Sequence, residues 1–236
     1  MARGKTSFKE TEKNLRAAIE RGKVIRLISY AMSVNFEKTM DLVIRCILEK
    51  YEKPDLQSIV YTSTKELALN GTKANNKRIF FEEHGLDIHS DSDYKKGIQL
   101  YKEVMREEET LRYGNKARQR GLYVKISFIH SSDVLKIEVM NNAEMTLQEE
   151  ERLRKKFSQV MKYDDLMQYY MDHADNTEGA GLGLALVMIL LMAEGINPGF
   201  FRVGIESSST VAKLEVPLSD GYVCERERDH IIRIQE

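Results

Sequence analysis

The chain has 236 residues, 42% of them apolar and 31% charged, with a formal net charge of −1. That is the composition of a soluble globular protein of one large or two small domains. It excludes the basic excess of a nucleic-acid binder and the acidic excess of a disordered chain. Two cysteines, Cys46 and Cys224, make no disulfide framework, and the histidines at 84, 89, 130, 173 and 230 form no zinc-ligand cluster.

The first residues, MARGKTSFKETEKN, carry no apolar signal core, and the longest apolar run, LGLALVMILLMA, is 12 residues. A bilayer span needs about 20 apolar residues, so the run suits a buried helix. Asn70-Gly71-Thr72 fits a glycosylation sequon, which a chain without a signal peptide never presents to that machinery. The expectation is a cytoplasmic protein that binds neither nucleic acid nor membrane.

Residues 8–21 predict a polar helix with Leu15, Ala18 and Ile19 on one side. This helix either mediates a homodimer or packs across the sheet. Residues 23–33 are β-branched and predict a strand. Over 35–53, Met40, Val43, Ile44, Ile47 and Leu48 recur at helical spacing, and Pro54 ends the helix. A further helix opens with Asp55 as its cap and carries Leu56, Ile59, Ser63, Leu67, Gly71 and Ala74 as one stripe. Residues 88–120 are highly charged and predict an exposed helix and loop, an insertion rather than core. Leu122, Val124, Ile126 and Phe128 alternate, as do Leu135, Ile137 and Val139, with HSSD as a hairpin turn between the two strands. Residues 147–172 predict a charged helical region without an apolar stripe. A glycine turn, an apolar helix and a second hairpin, FFRVGIES and TVAKLEVPL, complete the chain. The strands follow one another by short turns, so the sheet is expected to be mixed and mostly antiparallel. With helices on one face, the fold class is an α+β two-layer sandwich.

Three stretches carry chemistry. In ELALNGTKANNKR, Glu66, Asn70, Lys73 and Lys77 share one helix face. An amide oxygen there can ligate Mg²⁺, a carboxylate can orient a nucleophile, and a lysine can meet phosphate. The same pattern also fits a solvated face. In VMNNAE, Asn141 and Asn142 sit where a strand meets a loop, where an amide can accept from a base amino group or form a turn. In NTEGAGLGLALVMILLMAEG, Gly179, Gly181 and Gly183 precede an apolar helix. Glycines at a helix N-terminus let anions reach backbone N–H groups, and they also permit close helix packing. A Rossmann turn would have to follow a buried strand, and YYMDHADNTE is none.

Taken in order, these stretches resemble the ATP-binding domain shared by sensor histidine kinases, gyrase-type topoisomerases, Hsp90-type chaperones and MutL-type repair proteins. ELALNGTKAN looks like the N-box, KIEVMNNAEMT like the first glycine box, GAGLGLAL like the second, and SSSTVAKLEVPL like the closing strand. The resemblance covers roughly residues 55–218 and implies a Bergerat-type fold that binds ATP and Mg²⁺. Residues 1–54 would lead into that domain, 88–120 would be its insertion and 219–236 its tail. The resemblance implies Glu66 as the activating carboxylate, Asn70 as the Mg²⁺ ligand, and Lys73 and Lys77 near phosphate. Asn141 would read the adenine amino group with Thr210 nearby. Gly179, Gly181, Leu182 and Gly183 would line a lid over the triphosphate, with Leu182 and Leu184 anchoring it and 147–178 moving with it.

Two departures stand out. The family's Asp-x-Gly-x-Gly is here Asn141-Asn142-Ala143-Glu144-Met145, and no histidine precedes His84, so the usual upstream phosphoacceptor is lacking. An Asn accepts from adenine without charge assistance, a loss of about 1 kcal/mol or somewhat more. The length and the GLGLAL box resemble the kinase branch. The expectation is a bacterial signal-transduction ATP-binding protein that phosphorylates a separate protein or hydrolyses ATP slowly. The alternative is an anti-sigma-like or degenerate module that holds a protein partner without phosphotransfer. A ligand-free structural domain would need all three motifs to coincide by chance.

Overall fold

The structure, a computed structural model, describes residues 8–104, 107–160 and 182–226. Among these, five strands form one sheet in the order β1-β2-β3-β5-β4, every neighbouring pair antiparallel. The strands are β1 (Ile25–Ser29), β2 (Val124–His130), β3 (Val134–Asn141), β4 (Phe201–Glu206) and β5 (Ser209–Pro217). The helices are α1 (Phe8–Glu20), α2 (Val34–Lys50), α3 (Gln57–Glu83), α4 (Asp91–Val104), α5 (Glu107–Gln119), α6 (Leu147–Val160) and α7 (Leu182–Ala193). No helix among the described residues is long and apolar enough to cross a membrane.

Alternation sets the sheet faces. Leu27, Ile126, Val139, Ala212 and Val203 stand in one cross-strand row, and all five pack in the main core. Against them lie Met40, Val43, Ile44 and Ile47 of α2, Leu67 and Ala68 of α3, and Ala185, Val187 and Leu191 of α7. Each such aliphatic side chain contributes about 1.5–3 kcal/mol by leaving water. This is the expected α+β two-layer sandwich, with the sheet wholly antiparallel among the described strands. Leu184 packs against the core from α7, as expected. The second hairpin turns at Ser207 and Ser208, whose φ values of 48° and 62° suit the tight turn between twisted strands.

The N-terminal segment belongs to the same core, because β1 pairs with β2 and α1 lies against α2. The α1–α2 seam is held by Arg16 to Glu49 at 2.8 Å and by Lys50 Nζ donating to the Ile19 carbonyl at 2.7 Å. The tail 219–226 folds back over the opposite sheet face. There Glu215, 1% exposed, accepts from Tyr222, from Arg202 and from the Glu225 backbone N–H.

Three expectations need correction. Asp55 does not cap α3: a 3₁₀ turn, Pro54–Leu56, runs into it, and Leu56 is the N-cap without a side-chain bond. Residues 88–120 are not merely a solvated insertion. They form α4 and α5, which close a second small core on Ile79, Phe80 and Phe81 with Tyr94, Tyr113 and Ala117. The tyrosines carry apolar rings through an otherwise charged sequence, and so escape a pattern search on aliphatics. Finally, α6 does dock: Phe157 meets Phe201 with centroids 5.6 Å apart, and Val160 is fully buried.

Candidate functional site

α3 crosses the sheet and presents two faces to two partners. One face meets α7. A methyl group built on Gly183 would overlap Glu66 Oε2 and lie 3.3 Å from Glu66 Cδ and 3.5 Å from Asn70 Nδ2. Only a residue without Cβ lets the first turn of α7 come this close to both side chains. The first turn of a helix brings backbone N–H groups and the positive end of the helix dipole. The place therefore combines a carboxylate, a carboxamide and an anion-favouring helix end.

The other face of α3 meets the end of the sheet. A Cβ on Gly71 would lie 2.8 Å from Val124 Cγ2 and 3.6 Å from Asn141 Cβ. Val124, Asn141 and Thr210 stand side by side in one row across β2, β3 and β5. Asn141 is 4% exposed, and its Oδ1 has no hydrogen-bond partner among the described residues. The same is true of Asn70 Nδ2. A buried polar atom left unpaired costs about 1–3 kcal/mol, which a water molecule or a ligand group would recover.

The neighbours of Asn141 are fully engaged. Asn142 Oδ1 accepts from the Tyr123 N–H at 2.6 Å, and its Nδ2 donates to the Gly121 carbonyl at 2.8 Å. The Ala143 carbonyl accepts from both the N–H and the hydroxyl of Thr210, at 3.2 and 2.9 Å. These bonds fix the loop after β3 with no help from Asn141.

The expected site residues thus divide. Glu66, Asn70 and Gly183 converge, and Gly71 brings Asn141 and Thr210 alongside. Lys73 lies exposed on α3. Leu182 opens α7. Gly179 and Gly181, and the 161–178 part of the expected lid, lie outside the described residues. Lys77 departs from its expected place at phosphate, because its ammonium is held by Glu149.

Glu149 itself had not been singled out. Its Oε2 accepts from the Thr146 N–H at 3.0 Å, and the Thr146 hydroxyl accepts from the Glu149 N–H at 3.2 Å. That reciprocal pair is a capping box on α6, spelled in the sequence as Thr-Leu-Gln-Glu. Arg78 adds a bond to Glu149 Oε2 at 3.1 Å. Asn75 and Asn76, 1% and 3% exposed, were also missed, and both carry unpaired amide atoms among the described residues. Two asparagines inside a helix were the available signal, since neither favours helical backbone.

Burial alone would raise the Glu149 carboxyl, but Lys77 and Arg78 outweigh it and pull the group from 4.5 to about 2. A depressed folded value means that the stabilisation is complete above pH 4.5 and is lost as pH falls toward 2. The difference between 4.5 and about 2 corresponds to roughly 3 kcal/mol. Glu149→Gln is accordingly expected to lower the melting temperature at pH 7 and to flatten its decline between pH 5 and 2. Parallel melts of the two proteins across that range check it, and identical pH profiles would refute it.

An uncharacterized protein of Treponema pallidum (strain Nichols) is similar to this chain, 35% identical over 208 residues. The match takes in 88% of this chain and 40% of the relative, so the chain spans about two fifths of that protein's length. No family model matches the chain, and no solved structure matches it.

Proposed function

We propose that the chain is an ATP-binding protein of the histidine-kinase-like class, acting in cytoplasmic signalling on a separate protein. The observation that carries this reading is the close approach of Gly183 to Glu66 and Asn70, with Asn141 Oδ1, unpaired among the described residues, beside Gly71. Residues from three separated stretches meet on one helix, in the arrangement a phosphate group and a base would need. The donor set fits the nucleotide. Asn70 offers a neutral amide to a magnesium ion whose other oxygens come from phosphate, the usual economy of such sites. Gly183 brings the α7 N-terminus, a place that favours anions, beside Asn70. Bound Mg²⁺ would neutralise phosphate charge. Glu66, one turn before Asn70, would orient the attacking hydroxyl, imidazole or water and hold its proton.

Calorimetry with ATP and Mg²⁺ tests the reading. Saturable, Mg²⁺-dependent binding is expected, weakened about tenfold or more in Asn141→Ala and in Asn70→Asp. Absence of heat at millimolar ATP would overturn it. A second reading is favoured by Ala143, 8% exposed where the family has glycine, and by the pairing of Lys77 with Glu149. On that reading the chain holds a protein partner without transferring phosphate. Glu66→Gln separates the two, because only phosphotransfer or hydrolysis requires the carboxylate.

A further inference from the structure

The base end of the candidate site differs from the phosphate end in one respect. At the phosphate end the Glu66 carboxylate and the helix N-terminus have fixed polarity, and Asn70 is the one carboxamide beside them. At the base end the polarity is undecided. Asn142 is locked, its oxygen and its nitrogen each bonded to backbone. The Thr210 hydroxyl is committed as a donor to the Ala143 carbonyl. Asn141, unlike these two, is buried with its Oδ1 unpaired among the described residues. Gly71, where a Cβ would sit 2.8 Å from Val124 Cγ2 and 3.6 Å from Asn141 Cβ, lets α3 lie close against this end of the sheet.

A carboxamide carries an acceptor and two donors on one planar head, and a half-turn about its terminal torsion exchanges them. Adenine presents an amino donor at position 6 beside an acceptor at N1. Hypoxanthine and guanine present the reverse, a carbonyl acceptor at position 6 beside an N1–H donor. A carboxylate accepts from the amino group of the one or from the N1–H of the other, but it has no donor for the 6-carbonyl and repels it. The Asn141 head can meet either edge, because no bond among the described residues dictates its orientation.

We propose that Asn141 makes this a purine nucleotide site that accepts both 6-amino and 6-oxo bases. The proposal rests on the nucleotide-binding reading above and names its substrate class. ATP and ITP differ only at that edge, which makes them the informative pair.

The test is a calorimetric titration of the full chain with ATP, ITP and UTP, each with Mg²⁺, repeated on Asn141→Asp. ATP and ITP are expected to bind within about fivefold of each other, with UTP weaker. In Asn141→Asp, ITP is expected to lose about tenfold or more relative to ATP, because two acceptors then face each other. The comparison on the unaltered chain needs no variant, so it stands even if the Asp form folds poorly. ATP binding with ITP about fiftyfold weaker would overturn this inference and leave the ATP reading intact. Equal binding of UTP, or an unchanged ATP to ITP ratio in Asn141→Asp, would overturn the assignment to Asn141. No binding of any nucleotide would overturn both readings together.

Discussion

Gly183→Ala is expected to leave the fold standing while weakening nucleotide binding by about tenfold to a hundredfold. The two effects separate for a physical reason. Gly183 is the second residue of α7, and alanine suits a helix better than glycine by about 0.5–1 kcal/mol. The new methyl group would overlap Glu66 Oε2, the far end of a flexible side chain on a half-buried residue. Glu66 can therefore swing aside, and the clash costs little stability. What is lost is alignment. The methyl stands in the first turn of α7, where phosphate would meet backbone N–H groups, and it comes within 3.5 Å of Asn70 Nδ2, on the proposed magnesium ligand. A hydrogen bond to a charged group contributes about 1.5–3 kcal/mol, so misplacing one accounts for the predicted loss. A thermal melt beside an ATP titration reads both quantities. A melting temperature within a few degrees of the parent with ATP affinity unchanged would show that this contact serves packing alone. Glu66→Ala placed on Gly183→Ala removes the overlap. If the methyl acts only through Glu66, the double variant binds no worse than Glu66→Ala alone.

The parts of this architecture that were legible in the sequence share one property: they depend on residues near one another in the chain. Val124, Ile126 and Phe128 alternate because β2 shows one face to the helices, and period-2 alternation reports that directly. Glu66 and Asn70 lie one turn apart and so had to share a face. Gly183 could be read as a place of close approach, although only the fold shows that Glu66 is what approaches it. The illegible parts depend on pairs far apart in sequence. Lys77 looked like a phosphate ligand because its partner, Glu149, lies 72 residues on. Nothing local to α3 announces that an ammonium is already taken. The α4–α5 segment misled for a different cause. Its surface charges dominate the composition, while its buried contacts come from Tyr94, Tyr113 and the small residues Gly97 and Ala117.

That second core yields the largest expected effect on stability. A Cβ on Gly97 would overlap the Phe81 ring and lie 2.7 Å from both Cε atoms. The ring has little room to yield. Phe81 is 1% exposed, with the Phe80 ring 6.5 Å away edge-on and the Tyr94 ring 6.0 Å away, tilted. Gly97→Ala is therefore expected to destabilise by about 1–3 kcal/mol, despite the better helix propensity of alanine. Phe81→Ala removes the ring and opens a cavity between α3 and α4, at a cost of about 3–5 kcal/mol. The two should not add. Once Phe81 is truncated to Ala, the methyl at position 97 meets free space and fills part of the cavity, so the double variant should be no less stable than Phe81→Ala alone. Urea unfolding of the four proteins closes the cycle. Strict additivity would mean that α4 does not rest on Phe81. Strong coupling would establish that α4 is seated on the far end of α3, the helix that also carries Glu66 and Asn70, so that a shift at this end reaches the site through one rigid element.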